Sequence, residues 1–560
     1  MGKRLKPGDP HWHSRVGAPA CLGEDVEIAW DDAADIVIVG LGGAGVCAAI
    51  EALDAGASVI AVDRFAGGGA TRMSGGVFYA GGGTQQQREA NVDDDPENMF
   101  AYLQQEVGDA VPAETLMDFC QTSVEQSEWL QRNGVEFAST VCPIKTSYPP
   151  DGYYLYFSGN EAQVTYAKQA TPAQRGHRTF GKGLTGHRFY DALLRSALAK
   201  GLRVYRFSDA QRILLSSNGT IEGIETKTVD PASKAARELE KLNERFGSSR
   251  ALLFPSVAAK LKSRADRISR ENAVARSIRA NRAVILTAGG FVHNREMVAH
   301  HAPAYSGAIA LGSIGCDGSG IRLGQSAGAA VDRLDNISAW RQFQPPRALA
   351  TGIVVDAQGK RFVAEDCYGG TIGHAIAQEA DGRAYIIVDH LLWKSALRQA
   401  LPGKGKLFRL QGAPTLMGML LGSKKGRTLS ELAEKCGMDP ATLIDAVGHY
   451  NRASAGDETA RFPKHADFTG QIVGAPFHAI DISIANKRYL CPSISLGGIT
   501  VDTRSGQALD ADGQPIAKLF AAGKNAVGIS SHRYVSGISL ADCVYSGRIA
   551  GRSAVRMINV

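Results

Sequence analysis

The stretch ADIVIVGLGGAGVCAAIEALDAGASVIAVD, residues 34–63, decides the fold. Its first part, ADIVIVG (34–40), has the length and β-branched content of a buried strand. It runs into LGGAGVCAAIEALDAGA, a helix pattern that opens on glycine, and SVIAVD (58–63) is the next strand. Gly40, Gly42 and Gly45 form G-x-G-x-x-G, and Asp63 follows the last of them by eighteen residues. A strand before, a helix after and an acid ending the second strand give this motif its meaning. The glycines let backbone approach a diphosphate at the helix N-terminus, and Asp63 is placed to accept hydrogen bonds from an adenosine ribose. The expected class is α/β, with a Rossmann-type dinucleotide-binding core.

Outward from this unit, GGGATRMSGGVFYAGGGT (67–84) holds eight glycines in eighteen residues. A nicotinamide site needs no second glycine loop straight after the acid. A flavin dinucleotide does, because bare backbone must approach a long extended cofactor along its length. AVILTAGGF (283–291) and LFAAGKNAVG (519–528) are two more strands entering glycine turns. Four such turns, spread over almost the whole chain, imply one FAD gripped by distant segments.

Composition narrows the rest. The 560 residues, 44 % hydrophobic and 21 % charged, suit a soluble protein of two or three domains. A net formal charge of +6 without a nucleic-acid module pattern gives no ground for nucleic-acid binding. The nine Cys form no CxxC pair, so zinc ribbons and thioredoxin-type redox lack their signature, no metal is expected, and free thiols in a reducing cytoplasm are the expectation. The first residues, MGKRLKPGDPHWHS, carry charge but no apolar signal core, and no run of eighteen apolar residues suggests a membrane span.

VIVGLGGAG (37–45), RMSGG (72–76), ILTAGG (285–290), AAGKNAVG (521–528) and SLADCVYSGRIAG (539–551) together resemble the fumarate reductase and 3-ketosteroid dehydrogenase flavoprotein superfamily. The resemblance implies a discontinuous FAD-binding domain, 31–330 and 481–560, behind an N-terminal arm, 1–30. A substrate-capping α+β domain, 331–480, would be inserted into it. The glycine-rich segments agree, stopping near 330 and resuming near 490. Within the insert, GIVVDAQGKRFVAED (352–366) reads as a hairpin, and TLSELAEKCG and PATLIDAVGHYNRAS read as helices. Linkers are expected around 330–340 and 481–498. The resemblance also implies the cofactor contacts: Gly40, Gly42, Gly43, Ala44 and Gly45; Asp63 and Arg64; Thr71, Arg72, Ser74, Gly75 and Gly76; Ala288 and Gly289; Gly523; and Ser539 and Leu540. Relatives with covalent flavin have a His a few residues before the second glycine loop. GGGATRMSGG has none, so non-covalent FAD is expected.

A flavin exchanges hydride at N5, so the protein must place a substrate and move a proton. Dicarboxylate reduction wants converging Arg and His. SAWRQFQPPRALATG (338–352) has no His and offers only Arg341 and Arg347, for each of which a plain surface arginine is the simpler reading. RYVSGISLAD (533–542) resembles the segment of 3-ketosteroid dehydrogenases that carries an active-site tyrosine. Its Tyr-x-Ser-Gly form is more similar to enzymes that desaturate C4–C5 than to the Tyr-Pro-Gly form of Δ1 enzymes. The resemblance implies Tyr534, Ser536 and Tyr368 as catalytic, and Tyr534, Ser536 and Gly537 as substrate contacts. Tyr385 competes with Tyr368 for the second phenol. The simpler readings are a packed aromatic at Tyr534 and turn hydrogen bonding at Ser536. In the catalytic reading Tyr534 takes the C4 proton or begins a relay, and Ser536 passes it on or bonds the C3 carbonyl. A helix N-capped by Ser539 would stabilise the phenolate and the reduced flavin.

The implied activity is Δ4 desaturation of a saturated 3-oxosteroid, with electrons leaving to an external acceptor. The rivals are a fumarate-like or other enoate reductase, a Δ1-dehydrogenase, and an FAD-bearing electron-transfer or assembly subunit. Finally, residues 231–282 hold thirteen Lys and Arg against five acids in a helical pattern. A solvated hairpin is the simpler reading. Peripheral contact with the anionic inner membrane surface is the sharper one, on an otherwise cytoplasmic protein.

Overall fold

Strand Asp32–Val39 lies at the centre of the largest sheet, with Ile36, Val37 and Ile38 fully buried. Strand Val59–Asp63 flanks it in parallel (Ile36 opposite Val59), and Arg203–Arg206 extends the sheet beyond. On the other side run the second half of Ala273–Leu286 and then Pro515–Ala521, both parallel. The order is that of a doubly wound dinucleotide fold, whose ligand crevice lies at the carboxyl ends of the strands. The computed structural model describes residues 5–21, 29–247, 251, 254–341, 346–400 and 413–556. Parts of the expected arm (1–4, 22–28), of the basic segment (248–250, 252–253), of the 338–352 stretch (342–345) and of the insert (401–412) lie outside the described residues. Among the described residues no helix is long and apolar enough to cross a membrane.

Strand Ala273–Leu286 changes partner along its length. Its first half pairs antiparallel with Ile221–Val229, which pairs with Ser208–Leu215. The expected helical excursion therefore ends early: 273–282 is strand. Ile278 and Ala280 point inward with exposed Arg279 between them paired to Glu222, while Arg276, nearer the strand's start, pairs with Asp31. Charge disguised a period of two.

Helix Gly43–Asp54 packs along the closing helix, Ile538–Arg556. A Cβ at Gly547 would stand 2.5 Å from the Ala44 carbonyl oxygen, and one at Gly551 2.4 Å from that of Ala48. Two glycines one turn apart thus bring the helices to backbone contact and aim the segment before Ile538 at the crevice.

A second sheet, antiparallel, has the order Ile353–Val355, Tyr385–Val388, Phe477–Asp481, Ser423–Gly426. Tyr385–Val388 is buried on both faces, under Leu432, Leu443 and Val447 on one side and Ile372, Ile376 and Trp393 on the other. The two helices expected over it run Leu429–Cys436, capped by Thr428, and Pro440–Ala455, capped by Asp439. The expected hairpin at 352–366 is reduced to one bridge, Val355 with Arg361, because Ile353–Val355 pairs with Tyr385–Val388 instead.

Candidate functional site

A cavity of about 1080 Å³ opens at the carboxyl ends of the parallel strands. The glycine turn shows three different uses of a missing side chain. Gly40 has φ +96° and packs against Ala288, whose Cα would lie 2.5 Å from a Cβ there. A Cβ at Gly45 would stand 2.2 Å from the Gly40 carbonyl oxygen, so only hydrogen lets this helix meet its strand. A Cβ at Gly42 would meet nothing within 4 Å, and the residue lines the cavity. Bare backbone at a helix N-terminus, facing open space, fits a diphosphate. Asp63 also lines the cavity. Its carboxylate accepts the Leu41 and Phe65 N–H groups, with the Gly67 N–H as a third donor, and the two oxygens together keep one lone pair for a ribose. Burial raises its pKa.

Of the expected cofactor contacts, Gly40, Gly42, Gly43, Ala44, Asp63, Arg64, Thr71, Ser74, Gly75, Ala288, Gly289, Ser539 and Leu540 line this cavity. Four stand behind its wall. Gly45 packs as described. Arg72 turns outward to Asp191 at 3.0 Å. A Cβ at Gly76 would strike the backbone of Thr185 and Gly186, and one at Gly523 the Ala44 side chain.

A second polar cluster gathers Tyr534, Ser536 and Tyr368 on the same wall, with Gly537 beside them. The Trp340 ring lies 5.2 Å from that of Tyr534. Ser536 Oγ is 3.1 Å from the hydroxyl of Tyr156, a residue that sequence reasoning missed, and lies within hydrogen-bond reach of Tyr368. Lys524, also missed, places its ammonium 5.5 Å from the centre of the Tyr534 ring. Burial lowers its pKa to about 8. Desolvation raises the pKa of Tyr534, opposed by the Gly537 backbone N–H, and raises those of Tyr368 and Tyr156. These shifts favour the neutral form of all three phenols, so a Tyr534 phenolate would need stabilisation beyond that of the protein groups here. Nor does Ser539 cap the helix: the helix begins at Ile538, after Gly537 at φ +93°.

Tyr385 lies in the antiparallel sheet and not on the cavity wall. Arg341 is fully buried rather than on the surface, its guanidinium donating to the carbonyls of Ser483 and Tyr489. Arg347 is half exposed and pairs with Asp467 at 2.9 Å. Neither arginine reaches the cavity, which therefore lacks the cations a dicarboxylate would draw from them.

The glycine cradle, the acid at the second strand and the phenol cluster define a flavin-dependent oxidoreductase. The chain belongs to the FAD binding domain family, whose model matches residues 35–540, and its cofactor is FAD. It is 37 % identical over 516 residues to the 3-oxo-5-alpha-steroid 4-dehydrogenase of Comamonas testosteroni, covering 91 % of this chain and 96 % of that one. It is 24 % identical to a cytochrome-type fumarate reductase of Shewanella frigidimarina, over 94 % of this chain and 77 % of the other. The crystal structure of the 3-ketosteroid-delta4-(5alpha)-dehydrogenase of Rhodococcus jostii RHA1 with 4-androstene-3,17-dione superposes with a TM-score of 0.78 at 29 % identity, covering 96 % of this chain and all of that one.

Proposed function

We propose that this protein desaturates saturated 3-oxosteroids at C4–C5, with non-covalently held FAD. The observation that carries the reading is the cluster of Tyr534, Ser536 and Tyr368 on the wall of the cavity that also holds the glycine cradle, with Tyr156 bonded to Ser536 behind it. FAD held by the glycine cradle and Asp63 would supply the acceptor for the C5 hydride. The side chains handle the remaining charge and proton. Loss of the C4 proton builds negative charge on the C3 oxygen, which needs donors aimed at it. Tyr534, kept neutral by burial, suits that donor role, and the Lys524 ammonium adds positive charge beside it. Ser536 accepts the C4 proton as it donates its own to its hydroxyl partner, and the proton displaced along this relay is released to solvent water as the final acceptor. Trp340 offers an aromatic wall to a flat apolar guest.

Residues 331–480 cap the substrate in this proposal, and an external acceptor reoxidises the enzyme. The absence of His from 67–76 supports non-covalent flavin. The finer reading of a cytoplasmic protein touching anionic lipid through 231–282 rests on that segment's basic charge and on exposed Phe254. Salt-sensitive sedimentation with anionic vesicles tests it. Anaerobic addition of a 3-oxosteroid panel tests the main reading. Saturated 3-oxosteroids should bleach the flavin absorbance, while fumarate should fail to reoxidise the reduced enzyme. A flavin bleached by no 3-oxosteroid would reject the proposal.

A further inference from the structure

The basic segment does something that its charge alone does not suggest. Helix Lys234–Phe246 and helix Pro255–Asn272 pack as a hairpin. Their apolar sides, with Leu239, Leu242, Phe246, Ala265 and Ile268, bury against Phe65, Phe207, Val229 and Ile314. The second helix also turns one stripe to the cofactor cavity: Ala258, Ala259, Lys262, Ser263, Asp266 and Arg270. These positions follow the i, i+3/i+4 spacing of a single helix face. Small residues leave room, and charged ones follow them toward Arg64.

An alternating chain of charges holds this face in place. Asp266 pairs with Arg64, the residue after the expected ribose acid Asp63, and Lys262 lies 3.6 Å from Asp266. Arg64 continues to Asp317 at 2.8 Å, Asp317 to Arg15 at 3.1 Å, and Arg15 to Asp209 at 2.6 Å. Arg64 and Asp317 are each 9 % exposed, so their attraction is screened far less than that of a surface pair. The chain joins five segments distant in sequence: the N-terminal arm, the end of the second parallel strand, the antiparallel strands, the hairpin and the loop before Ser319.

We propose that the hairpin is a latch over the adenosine diphosphate half of FAD. Lys262 adds positive charge for the diphosphate, and the Asp266–Arg64 pair is the catch that must break before the cofactor leaves. The latch rests on the non-covalent reading of the flavin. Lys262 and Asp266 are positioning residues for the cofactor and take no part in the chemistry.

The test is FAD release from the holoenzyme, followed as recovered flavin fluorescence after dilution into excess ADP, which blocks rebinding. Asp266→Asn and Lys262→Gln should each release FAD about tenfold faster than the parent, the size of one charge-assisted hydrogen bond. Lys260→Gln removes the same charge from an exposed neighbouring position and should release at the parent rate. Release from the parent should quicken with salt, and from Asp266→Asn less so. Lys262 is part-exposed, so Lys262→Gln keeps the test valid if Asp266→Asn folds poorly. Parent-like release from both variants, or equal acceleration in Lys260→Gln, overturns the latch while leaving the steroid reading intact. Flavin that stays with acid-precipitated chain overturns the non-covalent reading and the latch together.

Discussion

Adding one methyl group at Gly42 and at Gly45, three residues apart, should injure different things. At Gly42, φ −91° and ψ −158° are open to alanine, and the new Cβ has nothing within 4 Å. Restricting the unfolded chain gains about 0.4–1 kcal/mol, and losing glycine at an N-cap costs a similar amount, so the apoprotein should stay within about 1 kcal/mol of the parent. The methyl then occupies space where the diphosphate must lie against backbone. Overpacking of that kind costs about 1–3 kcal/mol, which weakens FAD binding by a factor between about five and about 150. At Gly45 the Cβ starts 2.2 Å from the Gly40 carbonyl oxygen and 2.8 Å from Thr287 Oγ1. Ordinary contact needs about 1 Å more, and the first obstacle is backbone, so helix and strand must separate. The net loss of apoprotein stability should be about 1–3 kcal/mol. Thermal melts of flavin-stripped protein and FAD titrations read by fluorescence quenching separate the two effects. Gly42→Ala should melt like the parent and bind FAD weakly, whereas Gly45→Ala should melt early even without FAD. Parent-like FAD affinity in Gly42→Ala would refute the assignment of that position to the cofactor.

Two further outcomes follow from the site. Tyr534→Phe should lower kcat by about 10²–10³ through loss of a donor to the developing oxyanion, with flavin content unchanged; near-normal turnover would remove Tyr534 from the chemistry. Glu161 is 1 % exposed, one of its oxygens lacks a partner, and burial raises its pKa. A raised folded pKa makes its stability contribution best at low pH and poorest once the folded group ionises. Glu161→Gln should therefore stabilise the protein by about 1–3 kcal/mol at pH 8, and the gain should vanish below the unfolded value of 4.5 in pH-dependent melts.

Local pattern made much of the fold legible. The parallel core was readable because apolar runs and glycine turns are written in consecutive residues, 34–63 above all. The helices over the antiparallel sheet were readable because caps and a 3.6-residue period announce them. Strand 273–282 was not, since Arg276, Arg279 and Arg282, three residues apart, look like one flank of a charged helix. The buried state of Arg341 depends on carbonyls of residues 483 and 489, which no local window contains.

The sequence by itself determined the dinucleotide fold, the cofactor and a short list of hydroxyl-bearing residues near the closing helix. Tertiary structure alone decided which residues share the cavity. It set Tyr156 beside Ser536 across 380 residues, brought Lys524 over the Tyr534 ring, and folded a basic hairpin onto the cofactor groove. It also raised the pKa of the phenols, because a pKa answers to the water excluded by distant segments, and that exclusion exists only once the chain is packed.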